Sequence, residues 1–130
     1  MTPVLLFILI CALAYAIASL HEDPRFHVYW ERSCTGRQWK REFPSASKQD
    51  IREFLDVFID AFCFSESRRL QFRPSDRVMD IYQTRHSFPH IGDDMEIESF
   101  LLGILRRYDV DVPCDGFERV TLGELFQMTR

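Results

Sequence analysis

The chain has 130 residues, enough for one small domain once its apolar N-terminal stretch is set aside. Its 16 basic and 20 acidic residues leave a formal net charge of -4, which gives no electrostatic footprint for nucleic acid and favours a basic protein partner. Helical periodicity dominates and 12 phenylalanines supply the apolar bulk, so the fold class expected is all-α.

Residues 3–20, PVLLFILICALAYAIASL, carry no charge and approach the roughly 20 residues that a helix needs to cross a hydrocarbon layer. They predict one transmembrane helix, an uncleaved signal anchor in a bacterial inner membrane. Every Lys and Arg lies after this run, beginning with Arg25, Arg32, Arg37, Lys40 and Arg41, and the positive-inside bias places the C-terminal domain in the cytoplasm. The alternative is export: Ala16-Ile17-Ala18 before Ser19 resembles a signal-peptidase site, with cleavage near Ala18. Cys11 lies in the apolar run, and the spacing of Cys34, Cys63 and Cys114 fits neither a zinc ribbon nor a redox pair. These thiols are expected to be buried or half-exposed and without chemistry.

Residues 21–46 read as a juxtamembrane segment, because RFHVYWERSCTGRQWKREF interleaves aromatic and basic residues as the lipid headgroup region favours. Trp30 and Trp39 would be its anchors. A short strand is the competing reading, since Phe26, Val28 and Trp30 alternate with polar neighbours at period two.

A helical domain follows over residues 47–130. Ile51, Phe54, Leu55, Phe58, Ile59 and Phe62 recur at helical spacing up to about Cys63, with Ser47 as N-cap and Asp50 in the first turn. Residues 64–92 read mostly as loop, interrupted by a short helix at Val78, Ile81 and Tyr82, and basic at Arg68, Arg69, Arg73, Arg77 and Arg85. Those arginines are expected to be solvated and paired with nearby acids.

A second strong helix starts at Asp93 or Asp94, with Glu96 placed to cap Asp93 reciprocally and Arg106 and Arg107 at its negative end. Its predicted buried stripe is Ile97, Phe100, Leu101, Ile104, Leu105 and Tyr108. Gly103 weakens the middle of this helix, which implies close packing against a neighbour. Thr121 and Glu124 form a T-x-x-E cap for a closing helix carrying Leu122, Leu125 and Phe126.

This order, a long helix, a loop with a short turn at VMDIY, an acidic-start helix, a brief link and a closing helix opened by VTLGELF, resembles acyl carrier proteins over roughly Lys48 to Arg130. More narrowly, FCFSESRRLQFRPSDRVMDIY and TLGELF are similar to the bacterial domain-of-unknown-function 1493 family, an acyl-carrier-like group. The resemblance implies a small bundle of three main helices and a short one. It also implies a phosphopantetheine arm on the serine of an Asp-Ser-Leu motif, but the matching tripeptide is Asp93-Asp94-Met95. Asp94 has no hydroxyl to accept the group, so no cofactor is expected. Modification of another serine, Ser87 or Ser99, is the alternative.

What the resemblance leaves is a surface. Asp93, Asp94, Glu96 and Glu98 crowd the start of a helix that carrier proteins present to basic patches on enzymes, and they are the expected partner-binding residues. The same acids are equally well explained as ordinary stabilisers of a helix N-terminus. His86 and His90 lack a third ligand and define no metal site. No Ser-His-Asp pattern, glycine-rich phosphate cradle or His-Glu-x-x-His element is present, so the expectation is a non-enzymatic interaction module.

Overall fold

A computed structural model describes residues 2–20, 23–86 and 95–130, with the backbone alone for residues 18–20. The described chain is all-α, and its strand-like pairing is confined to a single bridge between Arg77 and Thr121.

The first helix, α1 (Pro3–Leu20), is uncharged, and its large side chains from Val4 to Ile17 are exposed. Its 18 residues rise about 27 Å at 1.5 Å per residue, a few ångströms short of a hydrocarbon layer of roughly 30 Å. Among the described residues no helix is long and apolar enough to cross a membrane. The spanning helix expected over residues 3–20 is thus an exposed apolar helix of marginal length.

Residues 23–46 depart furthest from expectation. Asp23 accepts a hydrogen bond from the Arg25 amide and opens a 3-10 turn (Pro24–Phe26), which leads into α2 (His27–Trp30) and then α3 (Gly36–Glu42). The period-two alternation of Phe26, Val28 and Trp30 does not become a strand. Phe26, Tyr29 and Trp30, at helical spacing, instead gather against Phe64 and Phe72 with ring centroids 5.0–5.9 Å apart.

Nor is Trp39 a headgroup anchor. It is fully buried with Phe26, Phe43 and Ala46, and its indole N–H donates to the Phe72 carbonyl at 2.9 Å. An indole suits a lipid interface or a buried site with one acceptor equally well, and here the acceptor lies within the protein. The segment taken as juxtamembrane therefore belongs to the same core as the rest of the domain.

That core is built on α4 (Lys48–Ala61) and α6 (Met95–Tyr108), which pack side by side. Ser47 and Asp50 form a reciprocal capping box at the start of α4, and Phe54, Leu55, Phe58 and Ile59 are fully buried along it. Its C-terminal end closes with Cys63 at φ 57°, where the Phe64 amide reaches the Ile59 carbonyl at 2.9 Å and the Cys63 amide reaches Asp60 at 3.3 Å. A 3-10 turn (Glu66–Gln71) then leads to α5 (Val78–Arg85), which buries Val78, Ile81 and Tyr82 as their spacing predicts.

Beyond a 3-10 turn (Phe117–Arg119), α7 (Leu122–Met128) starts with the predicted Thr121–Glu124 capping box. Its first residues are stitched to the chain ahead of α5: the Leu122 amide donates to Asp76 at 2.9 Å, and that of Gly123 to Pro74 at 2.8 Å. A Cβ on Gly123 would lie 3.0 Å from the Pro74 carbonyl oxygen.

Gly103 shows the close approach expected of it, since a Cβ there would sit 2.7 Å from Val57 Cγ1 on α4. Val57 is β-branched and stiff, so it cannot swing aside freely. Overpacking of about 1–3 kcal/mol exceeds the helix-propensity gain of at most about 1 kcal/mol. Gly103→Ala is therefore predicted to lower stability by about 1–2 kcal/mol in urea unfolding, and adding Val57→Ala should restore part of the loss through positive coupling.

The exposed edge of the α4–α6 contact is electrostatic. Glu53 pairs with Arg107 at 3.0 Å and accepts from Gln49, and these partners, Gln49 first, hold its carboxyl below the ordinary value of 4.5. A lowered carboxyl adds stability above its unfolded value and loses it as pH falls through the folded one. The deficit of Glu53→Gln relative to wild type at neutral pH should accordingly disappear as unfolding is measured progressively below pH 4.5.

Candidate docking face on helix α6

Helix α6 has two unlike sides. Phe100 and Ile104 are fully buried, and Ile97, Leu101 and Tyr108 pack against the core at its edge. At 3.6 residues per turn these five share one side. Leu105, expected in the same stripe, is 39% exposed and lies on the other. There it joins Met95, Glu98 and Leu102, at positions i, i+3, i+7 and i+10, all open to solvent. This outward apolar stripe was missed in the sequence reading, although its spacing is visible there.

The four acids expected to form the docking site are not equivalent. Asp93 and Asp94, like Ser87 and His90, lie outside the described residues. Glu98 is exposed beside Met95 and Leu102. Glu96 turns inward: its side chain is 17% exposed, with Oε1 at 3.1 Å from His86 Nε2 and 4.0 Å from an Arg85 guanidinium nitrogen. Its other oxygen is buried with no hydrogen-bond partner among the described residues.

Glu96 thus belongs to a polar cluster that fastens α6 to the end of α5. The Arg85 guanidinium donates to the Phe62 carbonyl and sits 4.6 Å from the Phe64 ring centroid, while the His86 ring lies 4.5 Å from that of Tyr82. The basic loop is correspondingly less solvated than expected. Arg68 stacks over Trp30 at 4.7 Å, and Arg69 lies 2.8 Å from Asp56. Burial nevertheless outweighs Arg69 and raises the Asp56 carboxyl, in keeping with a contact too poorly aligned to count as a hydrogen bond.

Among the described residues no three His, Cys, Asp or Glu side chains gather in a metal-holding group. All four cysteines are free and exposed, where buried or half-exposed thiols were expected. Ser99 is exposed on α6, next to Glu98.

No family model, characterised protein or solved structure matches this chain.

The two described glutamates of the quartet should respond oppositely to charge reversal. Glu96→Lys replaces the acid facing Arg85 with a second cation and removes the partner of His86 in a half-buried site, and is predicted to cost about 2–4 kcal/mol of unfolding free energy. Glu98→Lys should stay within about 0.5 kcal/mol of wild type, as exposed substitutions do. Urea midpoints of the two variants check the contrast.

Proposed function

We propose that this protein is a membrane-attached, non-catalytic interaction module of acyl-carrier-like type. In this reading α1 anchors it to a bacterial inner membrane, and the helical domain lies on the cytoplasmic side, where the basic residues after α1 favour it. The exposed, uncharged side chains from Val4 to Ile17 supply the apolar area that attachment needs. The helix order from α4 to α7 follows the acyl-carrier resemblance, and Asp94 at the phosphopantetheine position leaves recognition as the remaining task.

The observation that carries the proposal is the outward side of α6. Met95, Leu102 and Leu105 form an apolar stripe flanked by Glu98, the arrangement by which a helix docks into a partner's groove through anchors one and two turns apart. Asp93 and Asp94, which precede Met95 in the sequence, add negative charge. The partner that fits is a protein with an apolar groove and a basic rim. Attachment to the membrane would raise the local concentration of the module near membrane-bound partners without adding contacts.

Capture of partners by the full chain from detergent-solubilised membranes of its own cell tests this. Glu98→Lys combined with Leu102→Lys should reduce recovery of the specific partner about tenfold or more while leaving helicity unchanged, because it removes an anchor and reverses its flanking charge. Equal recovery would reject the α6 face. Intact mass after co-expression with a broad-specificity phosphopantetheinyl transferase provides the second readout. The unmodified mass is expected, and the gain of one arm, on Ser99 or elsewhere, would establish a carrier instead.

A further inference from the structure

A second surface has the opposite character. Where α3 meets the start of α4, a groove of about 290 Å³ is lined by Cys34, Ile51 and Leu70 and rimmed by Arg37, Lys40, Lys48 and Arg52. Four cations and no acid surround it, in a chain whose formal net charge is -4. Lys40 is turned onto the carbonyl of Ala46, while Arg37, Lys48 and Arg52 are exposed and have no hydrogen-bond or ion-pair partner among the described residues.

The acids that could neutralise them are engaged elsewhere. Asp50 is held in the capping box with Ser47, Glu53 by Gln49 and Arg107, and Asp56 by Arg69. Lys48 moreover occupies the first turn of α4, where the helix dipole disfavours cations, so the local field is more positive than the side chains alone make it. Like charges gathered without counter-charge cost stability unless an anion joins them.

We propose that this groove binds the phosphate-bearing headgroup of an anionic phospholipid. Lys48, Arg52 and Arg37 hold the phosphate by charge-assisted hydrogen bonds, and the first acyl or glycerol carbons rest on Ile51 and Leu70. The apolar floor distinguishes an amphiphile from a bare anion, which would find no use for it. The choice of a lipid source rests on the membrane attachment proposed for α1; the cationic chemistry of the groove does not.

The full chain in a nonionic detergent is titrated with dihexanoyl-phosphatidylglycerol below its micelle concentration, and in parallel with dihexanoyl-phosphatidylcholine and inorganic phosphate, with heat of binding as the readout. Saturable binding of phosphatidylglycerol is expected, weakening as salt is raised and exceeding that of phosphatidylcholine by about tenfold or more. Lys48→Gln with Arg52→Gln should lower that affinity about tenfold or more, and Arg106→Gln on α6 should leave it unchanged, each variant being checked for native helicity. Equal binding by the groove variant, equal binding of phosphatidylcholine, or phosphate binding as tight as lipid overturns the assignment. Flotation with neutral phosphatidylcholine vesicles reports α1 separately: loss of flotation with retained phosphatidylglycerol binding removes the anchor and keeps the groove.

Discussion

The fold depends on a polar seam that locks residues 32–39 to residues 70–76. Arg32 grips Asp76 with both guanidinium nitrogens, at 2.6 and 3.0 Å, while Asp76 also accepts from the Arg73 amide. Gln71 and Arg32 exchange bonds to each other's carbonyls, the Thr35 amide donates to Leu70 at 2.8 Å, and the Thr35 hydroxyl lies between the Leu70 and Phe72 carbonyls. Trp39 completes the seam at Phe72. With the side chains of Arg32 and Asp76 only 15% and 10% exposed, the pair is nearly desolvated. Such a pair adds little over an apolar replacement, but losing one partner strands the other at about 3–5 kcal/mol, so its main effect is to fix register.

That register explains why the ends of the domain meet. By holding the chain at Asp76, the seam sets the carbonyls of Pro74 and Asp76 where the first amides of α7 find them. These are orphan donors of a helix N-terminus, and a buried donor left unmet costs about 1–3 kcal/mol. The chain between Arg32 and Trp39 thus positions a helix more than eighty residues later without touching its cap. A segment that reads as a linker acts as the framework.

What the sequence made legible is local. The two capping boxes, the buried stripe of α4, that of α6 apart from Leu105, the short α5 and the close approach at Gly103 all depend on residues a few positions apart, and periodicity or cap spacing finds them. What it hid depends on distant partners. Trp39 becomes core because Phe72 offers a carbonyl 33 residues on, and Glu96 turns inward because α5 ends in Arg85 and His86. Cys63 takes a left-handed helix terminus that sequence patterns assign to glycine, so no residue signal marked it. Of the candidate site, the acidic start was legible as charge, but its division into an outward Glu98 and an inward Glu96 was not.

The two proposed surfaces are arranged about α4. At 3.6 residues per turn, Lys48 and Arg52 project on one side of that helix, whereas Glu53 and Val57, which meet Arg107 and Gly103 of α6, project on the side roughly opposite. A headgroup held in the basic groove would therefore leave α6 on the far side of α4 from the lipid. Its outward stripe would then face the aqueous phase and not the bilayer, although Met95, Leu102 and Leu105 are apolar enough to partition into an interface. Charge acts in the same sense, because an anionic surface repels Glu98 while attracting Arg37, Lys48 and Arg52. Membrane binding through the groove and partner binding through α6 are thus compatible demands on one small domain, each served by the side of α4 that the other leaves free.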